Sequence, residues 1–220
     1  MRIHVVVGLG QFGEQVARGL AAAGSEVIAV DSDMRRVEEI KDVVTRAVRA
    51  DCTSEAAMRA IGATEAHSAV IALGEQDFEA AVLGTASLKS LGVKTVIARA
   101  SDPQRGRILA LAGASRVVYP EAEMGERVAN LLMHPSLSSA ARLPSGFGLA
   151  EFRAPPAIEG KTLVALNLRQ IHALTVVAVV RGGSAVDATA ELELKEGDHL
   201  LVAGRMDRLD ALARSWDLQR

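Results

Sequence analysis

The chain has 220 residues, enough for one large domain or two small ones. Its 49% hydrophobic and 24% charged residues exclude a disordered chain, and its densest apolar stretch, Leu174 to Val180, is far short of the ~20 residues that span a bilayer. With 25 basic and 27 acidic residues and neither half basic, the chain lacks the electrostatic footprint of a nucleic-acid binder.

Six scattered aromatic residues (Phe12, Phe78, Phe147, Phe152, Tyr119, Trp216) form no base-stacking platform. The single cysteine, Cys52, rules out an internal disulfide and a Cys-cluster zinc site, and its apolar context reads as core. The opening run is too short for a signal peptide. These features read as a soluble intracellular protein.

In chain order, the β-branched run at 2–7 reads as a buried strand ending at Gly8. Phe12, Val16, Leu20 and Ala23 then share one face of a helix that Gly24 stops. Alternation continues through strand Glu26 to Val30, helix Met34 to Lys41 and strand Val43 to Arg49. Helices follow at 54–61, 76–91 and 102–113, and strands at 69–73, 94–99 and 115–118. Apolar strands separated by helices imply βαβ units, hence an α/β doubly wound parallel sheet of Rossmann type.

The alternation ends near residue 120. Glu121 to Met133 reads as a helix with Met124, Val128, Leu131 and Leu132 on one side. Its domain offers no obvious surface for that face, which is expected to pair with a second copy. The Pro/Ser/Gly-rich stretch 135–148 reads as a linker. A small α+β domain follows over 149–220, with strands near 149–153, 174–180 and 199–203 and helices at 163–170 and 206–214. The expected division is thus 1–134, linker 135–148 and 149–220.

Gly8-Leu9-Gly10-Gln11-Phe12-Gly13 is a G-x-G-x-x-G sequence between a strand and a helix. Gly8 suits the tight turn, Gly10 a close approach of backbone to a pyrophosphate, and Gly13 close helix–strand packing. Free N–H groups at the helix start would bind phosphate. Asp31, ending the next strand, stands where a ribose-binding acid is expected, with Ser32 beside it. A carboxylate there repels a 2′-phosphate and argues against NADP. Arg35 and Arg36 read as surface ion-pair partners on an acid-rich helix. Strand ends Asp51-Cys52-Thr53 and Ala72-Leu73-Gly74 fall on the same sheet edge, as does Arg99, a candidate phosphate clamp.

A dehydrogenase would need an acid/base pair at the nicotinamide. The five histidines are dispersed, and no G-x-S-x-G, H-E-x-x-H or Walker A sequence occurs. The chain reads as a nucleotide sensor without catalysis; a small NAD-dependent oxidoreductase is the alternative.

Val7 to Gly13, Val30-Asp31, Ala50 to Thr53, Val96 to Ala100, Val118 to Glu121 and Leu166 to Arg169 follow one another at a spacing that closely resembles the regulator-of-potassium-conductance (RCK) family. The resemblance is to soluble subunits of TrkA/KtrA type, with an N-terminal Rossmann domain and a C-terminal TrkA-C domain. It implies NAD(H) or ATP/ADP bound through Gly8, Gly10, Gly13, Asp31, Asp51 and Arg99, and a regulatory role without enzymatic activity. It implies homodimers in a ring, typically an octamer, docked on a membrane potassium-translocating subunit, with a cation/proton antiporter as the alternative partner. Glu121 matches an acid that in some relatives coordinates Mg or another divalent cation, and Asn167 and Arg169 match the polar pair of a cyclic di-AMP pocket. Two departures stand out. Relatives that discriminate ATP from ADP tend to carry Arg where this chain has Gln11, and the aromatic-Gly pair common after Asn-x-Arg is here His172-Ala173.

Overall fold

A computed structural model describes residues 2–143 and 145–218. Pro144 of the expected linker lies outside the described residues, as do Met1 and residues 219–220 of the two expected domains. The chain divides into two compact units, 1–124 and 125–220.

In the first unit β1 (Ile3–Val7), β2 (Glu26–Asp31), β3 (Arg46–Arg49), β4 (Ser68–Ile71), β5 (Thr95–Arg99) and β6 (Arg116–Val118) form one sheet in the order β3-β2-β1-β4-β5-β6. All five pairings are parallel. Helices α1 (Gln11–Ala22), α2 (Met34–Ile40), α3 (Glu55–Ala60), α4 (Phe78–Ser90) and α5 (Pro103–Leu111) connect the strands. Successive side chains of a strand point to opposite faces, so β1 serves two cores. Val5 and Val7 join Ile28, Val30 and Ile71 on one side. Val6 joins Val27, Ala29, Val37 and Ile40 on the other. Because both faces are covered, the buried part of this strand, Val5 to Val7, is apolar without a break. The sheet is the doubly wound arrangement expected from the sequence.

The edge that matters is the carboxyl end of the strands. There Gly8 N donates to Val30 O at 2.8 Å, Ala72 N to Val7 O at 2.8 Å, and Ala50 N to Asp31 O at 3.1 Å. These bonds extend β1, β4 and β3 by one residue each and fix the ends of β3, β2, β1 and β4 side by side. Strand order reverses between β1 and β4, which opens a crevice for ligands at that point.

Helix α6 (Pro120–Met133) follows β6 and has no buried residue. In the second unit β7 (Leu137–Arg142), β8 (Phe147–Arg153), β9 (Thr175–Arg181), β10 (Ser184–Asp187) and β11 (His199–Arg205) form an antiparallel sheet in the order β10-β9-β11-β8-β7. Helix α9 (Met206–Asp217) covers one face with Leu209, Leu212, Ala213 and Trp216. The Trp216 ring meets Phe152 edge-on, 5.5 Å between centroids at 75°. Short helices α7 (Leu163–Leu166) and α8 (Leu168–His172) precede β9.

Three sequence expectations need correction here. Residues 137–142, expected within a linker, are an edge strand paired with β8. The single helix expected over 163–170 is broken at Asn167, which takes φ +46°; Asn is one of the few residues that visits this region readily. Strand β10 was not anticipated.

Candidate functional site: a nucleotide cleft

The glycine turn is built by backbone constraint. Gly8 has φ +87°, and a Cβ on it would stand 2.9 Å from Leu73 Cδ2. A Cβ on Gly13 would lie 1.8 Å from the Gly8 carbonyl oxygen, so helix α1 reaches the strand only with hydrogen at that position. Gly10 differs: a Cβ there would meet nothing within 4 Å. It is the N-cap of α1, and no side chain caps that helix. The first-turn N–H groups of Gln11, Phe12 and Gly13 are therefore of the kind that bind anions.

Beside this turn lies a cleft of about 420 Å³, bordered by Gly8 and Gly10, by Ala72, Leu73 and Gly74 after β4, and by Arg36 and Arg99. Asp31 ends β2 behind Arg36, one of the residues that border the cleft, and is only 5% exposed. Its Oδ2 accepts from Leu9 N at 2.7 Å and its Oδ1 from Asp33 N at 2.8 Å. The glycine turn and the start of α2 thus hold the carboxylate in one orientation. Asp33 in turn caps α2, accepting from Arg35 N at 3.0 Å. The Arg35 guanidinium pairs with Asp33 and holds its carboxyl below the usual range.

Arg36 is the residue that sequence reasoning misplaced. Its Nη1 lies 3.3 Å from Asp31 Oδ2, against the cleft and away from the acids of its own helix. A helical partner at i+3 is visible in a sequence, whereas a strand end five residues back becomes a partner only through the turn between them. Arg99, the expected clamp, ends β5 and pairs with Glu121 in the first turn of α6. Arg105, which sequence reasoning passed over, pairs with Glu75, and its guanidinium sits 5.5 Å from the Phe78 ring centroid.

Other expected site residues lie apart. Ser32 is exposed and its carbonyl accepts from Arg49 Nε at 3.0 Å. Asp51 Oδ1 accepts from Thr53 N at 2.9 Å and Thr53 Oγ1 at 2.8 Å, closing a turn ahead of α3. Those bonds lower the Asp51 pKa. The Cys52 side chain is turned into the core near Gly84; burial first, and Asp51 second, push its thiol up to about 11. It does not supply a thiolate.

The carboxylate of Glu121 is engaged by Arg99, and among the described residues no group of three or more His, Cys, Asp or Glu could hold a metal ion. In the second unit Asn167 Nδ2 donates to Gln170 Oε1 at 3.1 Å and Arg169 is exposed. A cleft of about 300 Å³ in that unit is lined by Arg153, Pro155, Pro156, Glu159 and Glu196, without either residue of the expected Asn-x-Arg pair.

Comparisons with known proteins agree with this architecture. The TrkA-N domain family matches residues 4–120 and the TrkA-C domain family residues 149–215. Ktr system potassium uptake protein A of Vibrio alginolyticus is 34% identical over 207 residues, 93% of each chain. Ktr system potassium uptake protein C of Bacillus subtilis is 30% identical over 200 residues, 90% of each chain. Among solved structures, the GsuK channel shares the fold at TM-score 0.68 and 21% identity over 96% of this chain, which spans 38% of the channel polypeptide. The same channel bound to NAD gives a TM-score of 0.64 at 21% identity, over 96% of this chain and 38% of that one. This chain belongs to the regulator-of-potassium-conductance family, TrkA/KtrA type, with a TrkA-N domain followed by a TrkA-C domain.

Proposed function

We propose that this chain is a nucleotide-sensing regulatory subunit of a potassium uptake system, acting on a membrane potassium-translocating partner. NAD(H) or ATP/ADP binds in the cleft of the 1–134 domain. The ribose hydroxyls donate to Asp31, and the phosphates lie over Gly10 and the first turn of α1, within reach of Arg99. A divalent cation beside Glu121 would take its remaining ligands from the phosphates and from a second copy. The subunit works as a ring of homodimers, held at the inner face of the membrane by its partner. Ligand acts only through its different affinity for two ring shapes.

One observation carries the reading: a carboxylate 5% exposed, fixed by two backbone N–H groups and paired with an arginine that borders a cleft beside an open glycine. A structural aspartate needs no open cleft beside it. Relatives named as Ktr potassium uptake proteins over 90% or more of their length supply the transport context.

Calorimetric titration of the full chain with NADH, ATP, ADP and cyclic di-AMP tests the site. Asp31→Ala should weaken NADH and ADP by about 1.5–3 kcal/mol, the value of hydrogen bonds to a charged acceptor. Unchanged affinity would remove Asp31 from the site. Capture of the chain from detergent-solubilised membranes tests the partner: a potassium-translocating protein is expected, and a cation/proton antiporter or only soluble partners would refute the transport reading.

A further inference from the structure

We infer that Arg36 sets discrimination at the 2′ position of the bound ribose, and that the cleft accepts a 2′-phosphorylated dinucleotide as well as an unmodified one. The inference rests on the nucleotide reading above and deepens it. It reverses the expectation that Asp31 by itself excludes NADP.

The argument starts from the donors around Asp31. A carboxylate offers about four lone-pair positions, two on each oxygen. Oδ2 is engaged by Leu9 N at 2.7 Å and by Arg36 Nη1 at 3.3 Å. Oδ1 is engaged by Asp33 N at 2.8 Å. One position is left, whereas a ribose presents two neighbouring hydroxyls. Full engagement of an unmodified ribose therefore requires Arg36 to leave Oδ2. The backbone donors cannot leave, because they belong to the glycine turn and the start of α2. Arg36 can: its side chain is half exposed, and only its last atoms reach Asp31.

Arg36 does not depart into a neutral setting. It borders the cleft together with Gly8 and Gly10, so its guanidinium stays beside the ribose edge. A 2′-phosphate brought there would meet a planar donor suited to phosphate oxygens, and that donor offsets repulsion from Asp31. Arg35 does not share the role, since its guanidinium is held by Asp33 at 2.8 Å. Arg36 thus opposes an unmodified ribose, by competing for Asp31, and favours a phosphorylated one. Its removal should move the two affinities in opposite directions, an effect that a general loss of fold would not produce.

The test is calorimetric titration of the full chain and two variants with NADH, NADPH and ADP. The wild-type chain should bind NADPH within about tenfold of NADH. Arg36→Ala should weaken NADPH by ~10-fold or more, the value of one charge-assisted contact, and tighten NADH and ADP, which no longer compete with it for Asp31. Arg36→Lys, which keeps the charge, should restore most of the NADPH affinity. Equal weakening of NADH and NADPH in Arg36→Ala would overturn the inference, as would wild-type binding of NADH with no detectable NADPH. If neither NADH nor ADP binds the wild-type chain, the nucleotide reading itself fails. That outcome is told apart by the missing ADP signal.

Discussion

Two glycines three residues apart illustrate how differently one residue type is used. Gly13 carries a folding constraint, because an added methyl would overlap a backbone oxygen at 1.8 Å, and that oxygen is fixed by the turn. Gly13→Ala should destabilise the first unit by about 3 kcal/mol or more, at or beyond the upper end of ordinary overpacking. Gly10→Ala meets nothing and keeps φ −68°, so stability should change by no more than about 0.5 kcal/mol while nucleotide binding falls. Thermal melting and titration of both variants separate the roles. If Gly10→Ala bound nucleotide as the wild type does, the phosphate would not lie over that turn.

Asp198 shows a different residue-scale effect. Its side chain is 0% exposed and accepts from Arg181 Nε at 2.8 Å, Arg181 Nη2 at 2.7 Å and Lys195 N at 2.8 Å. Arg181 outweighs burial and holds the carboxyl below its ordinary 3.8. The sign follows from the lowered native value. The stabilisation is complete above the unfolded value, near pH 4, and is lost as pH falls through the native one. Asp198→Asn should therefore lower the melting temperature at neutral pH and flatten its decline below about pH 4. An unchanged acid profile would show that Asp198 contributes nothing to it.

At the scale of elements, α6 stands out because Met124, Val128, Leu131 and Leu132 line one side while none is buried. Leu132 is 77% exposed. Spacings of four, three and one place them on a single stripe, which a second copy of the helix would cover. Replacing Leu131 and Leu132 by Asp should convert a dimer or larger species to monomer in sedimentation, since charges would then be buried unpaired. A wild-type chain that sediments as a monomer at micromolar concentration, with or without nucleotide, would refute pairing through α6.

Legibility also varied by element. The parallel sheet could be read because its strands are buried on both faces and so form continuous apolar runs. Strands β7 and β10 could not, for a shared reason: both are edges of the second sheet. Ser138, Ser139, Ala140 and Ala141 have weak strand preference and are held by pairing with β8. The four residues of β10 follow Gly182-Gly183 and pair only with β9. In the site, the glycines and Asp31 were legible because a motif of fixed spacing carries them. Arg36 and Arg105 were not, because their partners are set by tertiary approach.

At the scale of the whole molecule, the formal net charge is −2 and the isoelectric point about 6.2, so no broad positive field gathers anions. Both cations of the cleft are already matched, Arg36 by Asp31 and Arg99 by Glu121. On the proposed nucleotide reading, an arriving phosphate would not fill a bare positive pocket but would take the place of a carboxylate. Nucleotide capture would then resemble an ion-exchange step, governed by short-range geometry and indifferent to distant counterions. The association rate of a fluorescent adenine nucleotide should stay nearly constant from ~50 to ~300 mM salt, a range over which exposed charges lose much of their reach. A steep fall would mean that the carboxylates do not hold these arginines in solution. The same exchange would free Glu121 at the first turn of α6, so the molecule would answer an incoming anion by releasing one of its own at the start of a helix with no buried residue.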